Sequence, residues 1–293
     1  MNNLSREGDD TVKSIGYYNG KIGPIEELTM PITDRACYFG DGVYDVAYCN
    51  SGIMFAAEEH IDRFFRSCGA IGIQLPYTKE ELYAILSDLV ARVDGKETLI
   101  YFQASRGCAP RGHAFPKDTP PSLMATVTQC PMADPDMLVD LTEAEDIRYL
   151  MCNIKTINLL PSVLASQKAA EKGCFETVLH RGDIVTECAH SNVSILKDGV
   201  LITHPADNYI LPGIARAHLL GAARALGIPV EERRYTMDEL RDADEVLVSS
   251  TSKFCLAAKT LDGAPIGGKD RETYKRLRAH MVEEFYAYVE AHK

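Results

Sequence analysis

The sequence predicts a mixed α/β (α+β) protein of two lobes, on three observations. Apolar residues recur at helical spacing in five separate segments, and β-prone runs bounded by turn residues lie between them. Pro131 to Asp136, with two prolines and two acids, parts halves in which these elements alternate differently. The expected division is an N-terminal α/β domain over 1–130, a linker over 131–136 and a C-terminal domain over 137–293.

The first element expected is a hairpin within Ser14 to Leu28, turned at Asn19-Gly20, because both residues tolerate positive φ. Ile61, Phe64, Phe65 and Cys68 share one face of a helix over Glu58 to Gly69, and Arg63 falls nearly opposite them, which periodicity reads as solvated. Thr78-Lys79-Glu80-Glu81 has the form of a capping box ahead of Leu82, Ile85, Leu86, Leu89 and Val90. Strands at Thr98 to Ala104 and Ser122 to Thr128 flank a loop with Arg106, Pro110, Arg111, Gly112, His113 and Pro116. In the second half a β-like run, Asp146 to Cys152, precedes a helix from Asn158 to Gly173. Strands follow at Cys174 to His180, Ile184 to Glu187 and Asn192 to Leu196, with a turn at Lys197-Asp198-Gly199. A helix over Ile214 to Leu226, strands at Val230 to Arg234 and Glu245 to Ser249, and a helix over Glu272 to His292 complete the chain. The last helix places Tyr274, Leu277, Met281, Phe285 and Tyr288 on one stripe.

Composition narrows the function classes. A net charge of −11, from 42 acids against 31 bases without a run of like charge, disfavours a nucleic-acid partner. Nine cysteines form no CxxC pair and read as reduced, cytosolic thiols. Met1 to Thr11 is polar and lacks the apolar core of a signal peptide, and no stretch reads as a membrane span, so a cytoplasmic protein is expected. The eight histidines form no HxH, HExxH or Cys-His spacing, so no metal is expected. GxGxxG, P-loop and GxSxG motifs are missing.

Five features remain as candidate chemistry. Lys155 lies at an element boundary, and Glu187, thirty-two positions on, interrupts a β-rich stretch. An amine that condenses with an aldehyde and an acid that holds a ring nitrogen protonated are what pyridoxal phosphate requires; the plain alternative is a solvated lysine and a solubilising acid. Leu211-Pro212-Gly213-Ile214-Ala215-Arg216 is either a simple helix start or an anion dock at free backbone N–H groups. Ser249-Ser250-Thr251-Ser252 either makes a turn or converges hydroxyls on a phosphate. Arg111 and His113, separated by glycine, form either an exposed basic loop or a fork for a carboxylate. Tyr44, at a strand start, either packs in a sheet or hydrogen-bonds a substrate.

Several motifs in order carry a resemblance: Phe39-Gly40-Asp41-Gly42-Val43-Tyr44, Glu59-His60-Ile61-Asp62-Arg63, Tyr101-Phe102-Gln103 with Pro110-Arg111-Gly112-His113, Asn153-Ile154-Lys155-Thr156-Ile157-Asn158, Val185-Thr186-Glu187 and Ile210-Leu211-Pro212-Gly213-Ile214. From about 14 to 290 the chain resembles the fold-type IV pyridoxal phosphate aminotransferases, most closely those acting on D-amino acids. The resemblance implies a two-lobed fold with pyridoxal 5′-phosphate between the lobes, the C-terminal half binding most of it. Lys155 would bear the cofactor as a Schiff base and relay the proton, Glu187 would pair with the pyridine nitrogen, and Leu211 would pack under the ring. Arg63, the backbone at Ile214 and Ala215, and Ser250 with Thr251 would bind the phosphate, reversing the solvated reading of Arg63. Tyr44, Arg111 and His113 match the family's trap for the substrate α-carboxylate, in which Arg and His come from the second subunit of a homodimer. The implied reaction moves an amino group between a D-alanine-like amino acid and a 2-oxoglutarate-like 2-oxo acid. Branched-chain L-amino acid aminotransferases and aminodeoxychorismate lyases share the scaffold, and the Arg111/His113 loop speaks for the D-specific branch. Two segments depart from the pattern: Cys188-Ala189-His190 bears on hydrogen bonding near the ring, and Ser252-Lys253-Phe254 on the substrate-side wall.

Overall fold

The computed structural model describes residues 13–134 and 136–293; Met1 to Thr11, and Pro135 of the expected linker, lie outside the described residues. The first half runs β1 (Ser14–Tyr18), β2 (Lys21–Gly23), α1 (Arg35–Phe39), β3 (Gly42–Asn50), β4 (Ile53–Met54), α2 (Ala57–Ala70), α3 (Lys79–Ala91), β5 (Glu97–Ser105) and β6 (Ser122–Gln129). The second runs β7 (Leu138–Glu145), α4 (Leu160–Glu171), β8 (Glu176–Arg181), β9 (Ile184–Cys188), β10 (Asn192–Lys197), β11 (Val200–Thr203) and α5 (Ile214–Ala225). It continues through β12 (Val230–Glu232), α6 (Met237–Asp242), β13 (Glu245–Ser250), β14 (Phe254–Leu261), β15 (Ala264–Pro265) and α7 (Arg271–Ala291).

Six strands of the first half pair in the order β2-β1-β6-β5-β3-β4, every pair antiparallel. The hairpin turns at Asn19-Gly20, so that Tyr18 faces Lys21 as a two-residue loop demands. The capping box at α3 is complete: the Glu81 N–H donates to Thr78 Oγ1 and the Thr78 N–H donates to Glu81 Oε2. The second sheet runs β12-β11-β10-β13-β14-β7-β8-β9, with β15 on β14. β14 pairs parallel with β7 and β7 with β8; α4 connects the second of these pairs and packs on both of its strands, as a crossover helix must.

The expected β-like run from Asp146 to Cys152 is not a strand. β7 stops at Glu145, and residues 146–159 form an irregular arm. Asp146 is buried and spends its carboxylate on Arg148, Arg181 and Thr186, a knot of side chains that turns the chain out of the sheet. β7 itself escaped the sequence reading because Asp140 interrupts its apolar run and Glu143 and Glu145 continue the face of Val139 and Leu141, which are buried.

The arm docks on the first half. Tyr44 N–H donates to Lys155 O (2.9 Å), Val43 bridges Thr156, and Ile157 N–H donates to Gly42 O (3.1 Å). Only glycine suits position 42, where a Cβ would lie 2.4 Å from Ala104 O and 3.0 Å from Ile157 Cδ1. The two halves also share an apolar core. Tyr48 and Phe55 pack with Phe254 and Phe285, ring centroids 5.2–6.4 Å apart. The resulting cleft has one wall from each half.

Candidate active site

The cleft encloses about 820 Å³ of space between protein atoms, the open solvent at its mouth included. Tyr44 and Arg63 line it from the first half; Lys155, Glu187, Leu211, Ile214, Ala215, Ser250 and Thr251 line it from the second. Arg111 and His113 do not. They are exposed on the loop after β5, packed against Phe39, with the Arg111 guanidinium 5.2 Å and the His113 ring 5.3 Å from the phenyl centroid. Arg35 fixes that loop by donating to Gly112 O and His113 O while pairing with Asp41, which also receives Arg106.

Lys155 is placed by the arm, its backbone held by β3, and its Nζ stands 4.3 Å from the centre of the Tyr44 ring. Tyr44 in turn stacks on Tyr101 at 5.4 Å, so both readings of Tyr44 hold: it packs on the sheet and faces the cleft.

Glu187, at the end of β9, is buried yet fully engaged. Arg148 donates to Oε1, Asn192 Nδ2 donates to Oε2 (2.8 Å), and the Leu211 N–H donates to the same carboxylate (3.1 Å). Burial raises its carboxyl to about 7, the charge of Arg148 opposing the rise. A carboxyl poised near neutrality can share a proton with a ring nitrogen at small cost either way. The sequence assigned no role to Arg148, nor to Asn192, which stands in the motif Ser191-Asn192-Val193 that the chain shares with the family it resembles. Their partner lies 39 and 5 residues away; the available signals were that motif and an arginine standing in a run expected to be β.

Arg63 corrects the solvated reading. It is 4% exposed and donates from Nε and Nη2 to both oxygens of buried Asp45 (2.8 and 2.7 Å) and from Nη1 to Pro212 O (3.3 Å). His60, Arg63 and Ser67 form a polar stripe at i, i+3, i+7, beside the apolar stripe of α2. The stripe faces Asp45, the 211–213 turn and the Lys155 backbone. Burial alone would raise the Asp45 carboxyl, but Arg63 and His60 outweigh it and hold it far below the usual carboxylate range.

Beside Arg63 the N-terminus of α5 is open. Gly213 caps it with no side-chain hydrogen bond, so the Ile214 and Ala215 N–H groups face the cleft. Ser250 and Thr251 flank it from β13, and buried Ser249 Oγ, on the same wall, has no hydrogen-bond partner among the described residues. A guanidinium, a helix N-terminus and hydroxyls with spare donors suit a phosphate. The site therefore has an amine, an acid near neutrality and an anion cradle on one cleft.

The family described as Amino-transferase class IV matches residues 42–261. The chain belongs to the class IV aminotransferases. It is 43% identical over 273 residues to the D-alanine aminotransferase of Listeria monocytogenes serotype 4b (strain F2365), covering 91% of this chain and 94% of that one. It is 37% identical over 279 residues to the D-alanine aminotransferase of Staphylococcus epidermidis (strain ATCC 12228 / FDA PCI 1200), covering 94% and 98%. Among solved structures it is similar to the branched-chain aminotransferase of the thermophilic archaeon Thermoproteus uzoniensis with norvaline, at TM-score 0.81 and 23% identity over 91% of this chain and 93% of that. The Escherichia coli branched-chain amino acid aminotransferase matches at TM-score 0.85 and 22% identity, over 93% of this chain and 94% of that. These last two likenesses establish the scaffold alone.

In this class IV aminotransferase the two departing segments take different places. Phe254 is turned into the shared core, in the left-handed backbone region at φ 57°, and Lys253 O receives Arg278. Cys188 is likewise buried, and it lines the cleft together with Ala189 and His190.

Proposed function

We propose that this aminotransferase moves the amino group between a D-alanine-like amino acid and a 2-oxoglutarate-like acid, with Lys155 as the catalytic amine and pyridoxal 5′-phosphate in the cleft. The observation that carries the reading is the placement of Lys155, Glu187 and the open end of α5 on one cleft. When bound, the cofactor supplies an aldehyde for amine condensation and a ring that accepts the electron pair released with the α-proton. Lys155 holds the cofactor through its amine, then takes the α-proton and returns it. Glu187 keeps a proton at the ring nitrogen, with Arg148 and Asn192 fixing its position. Leu211 packs under the ring. Arg63, the Ile214 and Ala215 N–H groups, Ser250 and Thr251 grip the phosphate.

Tyr44 belongs to the α-carboxylate trap, and Arg111 and His113 of a second copy complete it. Two facts support a homodimer: neither Arg111 nor His113 lines its own cleft, and a broad apolar face beside the cleft is bare. Leu160, Val163 and Leu164 share one side of α4, with Leu160 69% exposed, and Ile147 and Leu150 of the arm are exposed as well. Leaving so many large apolar side chains together in water costs far more than scattered surface residues do. The division at 131–136 and a cytoplasmic setting, which suits nine unpaired thiols, complete the proposal. No helix among the described residues is long and apolar enough to cross a membrane.

The test is an assay with D-alanine and 2-oxoglutarate. Pyruvate and D-glutamate are expected, with far less product from L-alanine or L-leucine, and Lys155→Ala should abolish multiple turnover. Equal or faster turnover of the L-substrates would defeat the D-specific reading.

A further inference from the structure

We propose that His190 is the specificity-determining residue for a side-chain carboxylate, holding one ring nitrogen against Glu176 and offering the other to the substrate. The proposal rests on the transaminase reading above.

Glu176 on β8 is fully buried. Its Oε1 accepts the Thr177 N–H (2.9 Å); its Oε2 accepts Ser191 Oγ (2.9 Å) and the His190 N–H (3.3 Å) and lies 2.7 Å from His190 Nδ1. The imidazole is its sole ionic partner among the described residues. A buried carboxylate is stable when paired, so the arrangement favours an imidazolium and fixes the ring. The hydrogen bond with Glu176 accordingly raises His190 above the usual imidazole range, with burial opposing.

The other nitrogen, Nε2, has no partner among the described residues. The ring stands where the cleft opens into a side chamber, bounded by Tyr44, Leu159 and Ala189 and extended by Ser166 and Gln167 of α4. Among the residues lining that chamber, His190 is the only base. The remaining charged and titratable groups on the cleft are Tyr44 of β3, Arg63 of α2, Arg148, Tyr149, Cys152 and Lys155 of the arm, and Glu187 and Cys188 of β9. Arg63 is committed to Asp45 and the proposed phosphate cradle, and Arg148 to Asp146 and Glu187. His190 pairs with Glu176 through Nδ1 alone, so beyond Lys155 it is the cation-capable group with a donor, Nε2, left to face the chamber. A dicarboxylate uses its N–H; the methyl group of alanine does not.

The experiment measures kcat/KM of the holoenzyme for D-glutamate and D-alanine in wild type, His190→Gln and His190→Ser. Glutarate and butyrate are titrated calorimetrically in parallel. A lost charge-assisted hydrogen bond should lower the D-glutamate to D-alanine ratio about ten-fold and weaken glutarate relative to butyrate by about the same factor. The wild-type preference for glutarate should fall as pH rises through the His190 titration, since the donor is charged only below it, and the variants should show no such fall. If unpaired Glu176 prevents folding, the double variant Glu176→Gln/His190→Gln carries the same measurements. An unchanged ratio, or equal losses for both substrates and both acids, overturns the proposal. Should wild type fail to transaminate D-amino acids at all, the proposed function falls, while the glutarate and butyrate titrations still decide the role of His190.

Discussion

Glu187 shows what burial does to one carboxyl. Its pKa rises from 4.5 to about 7 on folding, so between those values the folded chain retains a proton that the unfolded chain has released. Stability from this group is therefore full at low pH and is lost as pH rises through that window, by about 3 kcal/mol in all. Urea unfolding of the cofactor-free protein at pH 5 and pH 8 should show that loss in wild type and not in Glu187→Gln. Parallel behaviour of the two proteins would show that Arg148, Asn192 and the Leu211 N–H already compensate the buried charge.

At the scale of elements, the α5 terminus and the end of β9 are locked together through Asn192, which donates to Glu187 Oε2 and to Leu211 O. Gly213 leaves room for that side chain; a Cβ there would sit 2.0 Å from Asn192 Oδ1. Gly213→Ala must therefore displace Asn192 or the helix start, disturbing the acid and the anion cradle together. Titration with pyridoxal phosphate, followed by absorbance, should give a Kd weakened about ten-fold or more, as expected for one or two lost hydrogen bonds to charged groups. Wild-type affinity in the variant would mean that the cradle does not depend on this contact.

On the scale of the whole molecule, each half supplies one wall of the cleft and neither supplies a complete site. The arm carrying Lys155 belongs to the second half yet takes its backbone partners from β3. The bare apolar face on the arm and α4 extends the same logic to a second copy. In the proposed homodimer Leu164→Glu places a charge in the contact, so sedimentation should shift toward the 32.4 kDa single chain and KM should rise as the proposed trap loses Arg111 and His113. A variant that sediments as wild type would remove α4 from the interface.

Local pattern determined much of this protein. Asn19-Gly20, the Thr78 capping box and the stripe on α7 each depend on residues a few positions apart, and each formed where its spacing required. Residue chemistry and motif order likewise marked out Lys155 and Glu187 as a pair with a common purpose. Tertiary structure alone decided that Arg63 is buried against Asp45, that Asp146 ends β7, and that Arg148 and Asn192 hold Glu187. It also separated Phe254, which turned into the core, from His190, which stayed on the cleft. The physical reason is that burial and ionisation are set by groups distant in sequence. Helical spacing places Arg63 opposite the apolar stripe of α2, but Asp45 and Pro212, brought in from two other segments, determine what that second face meets.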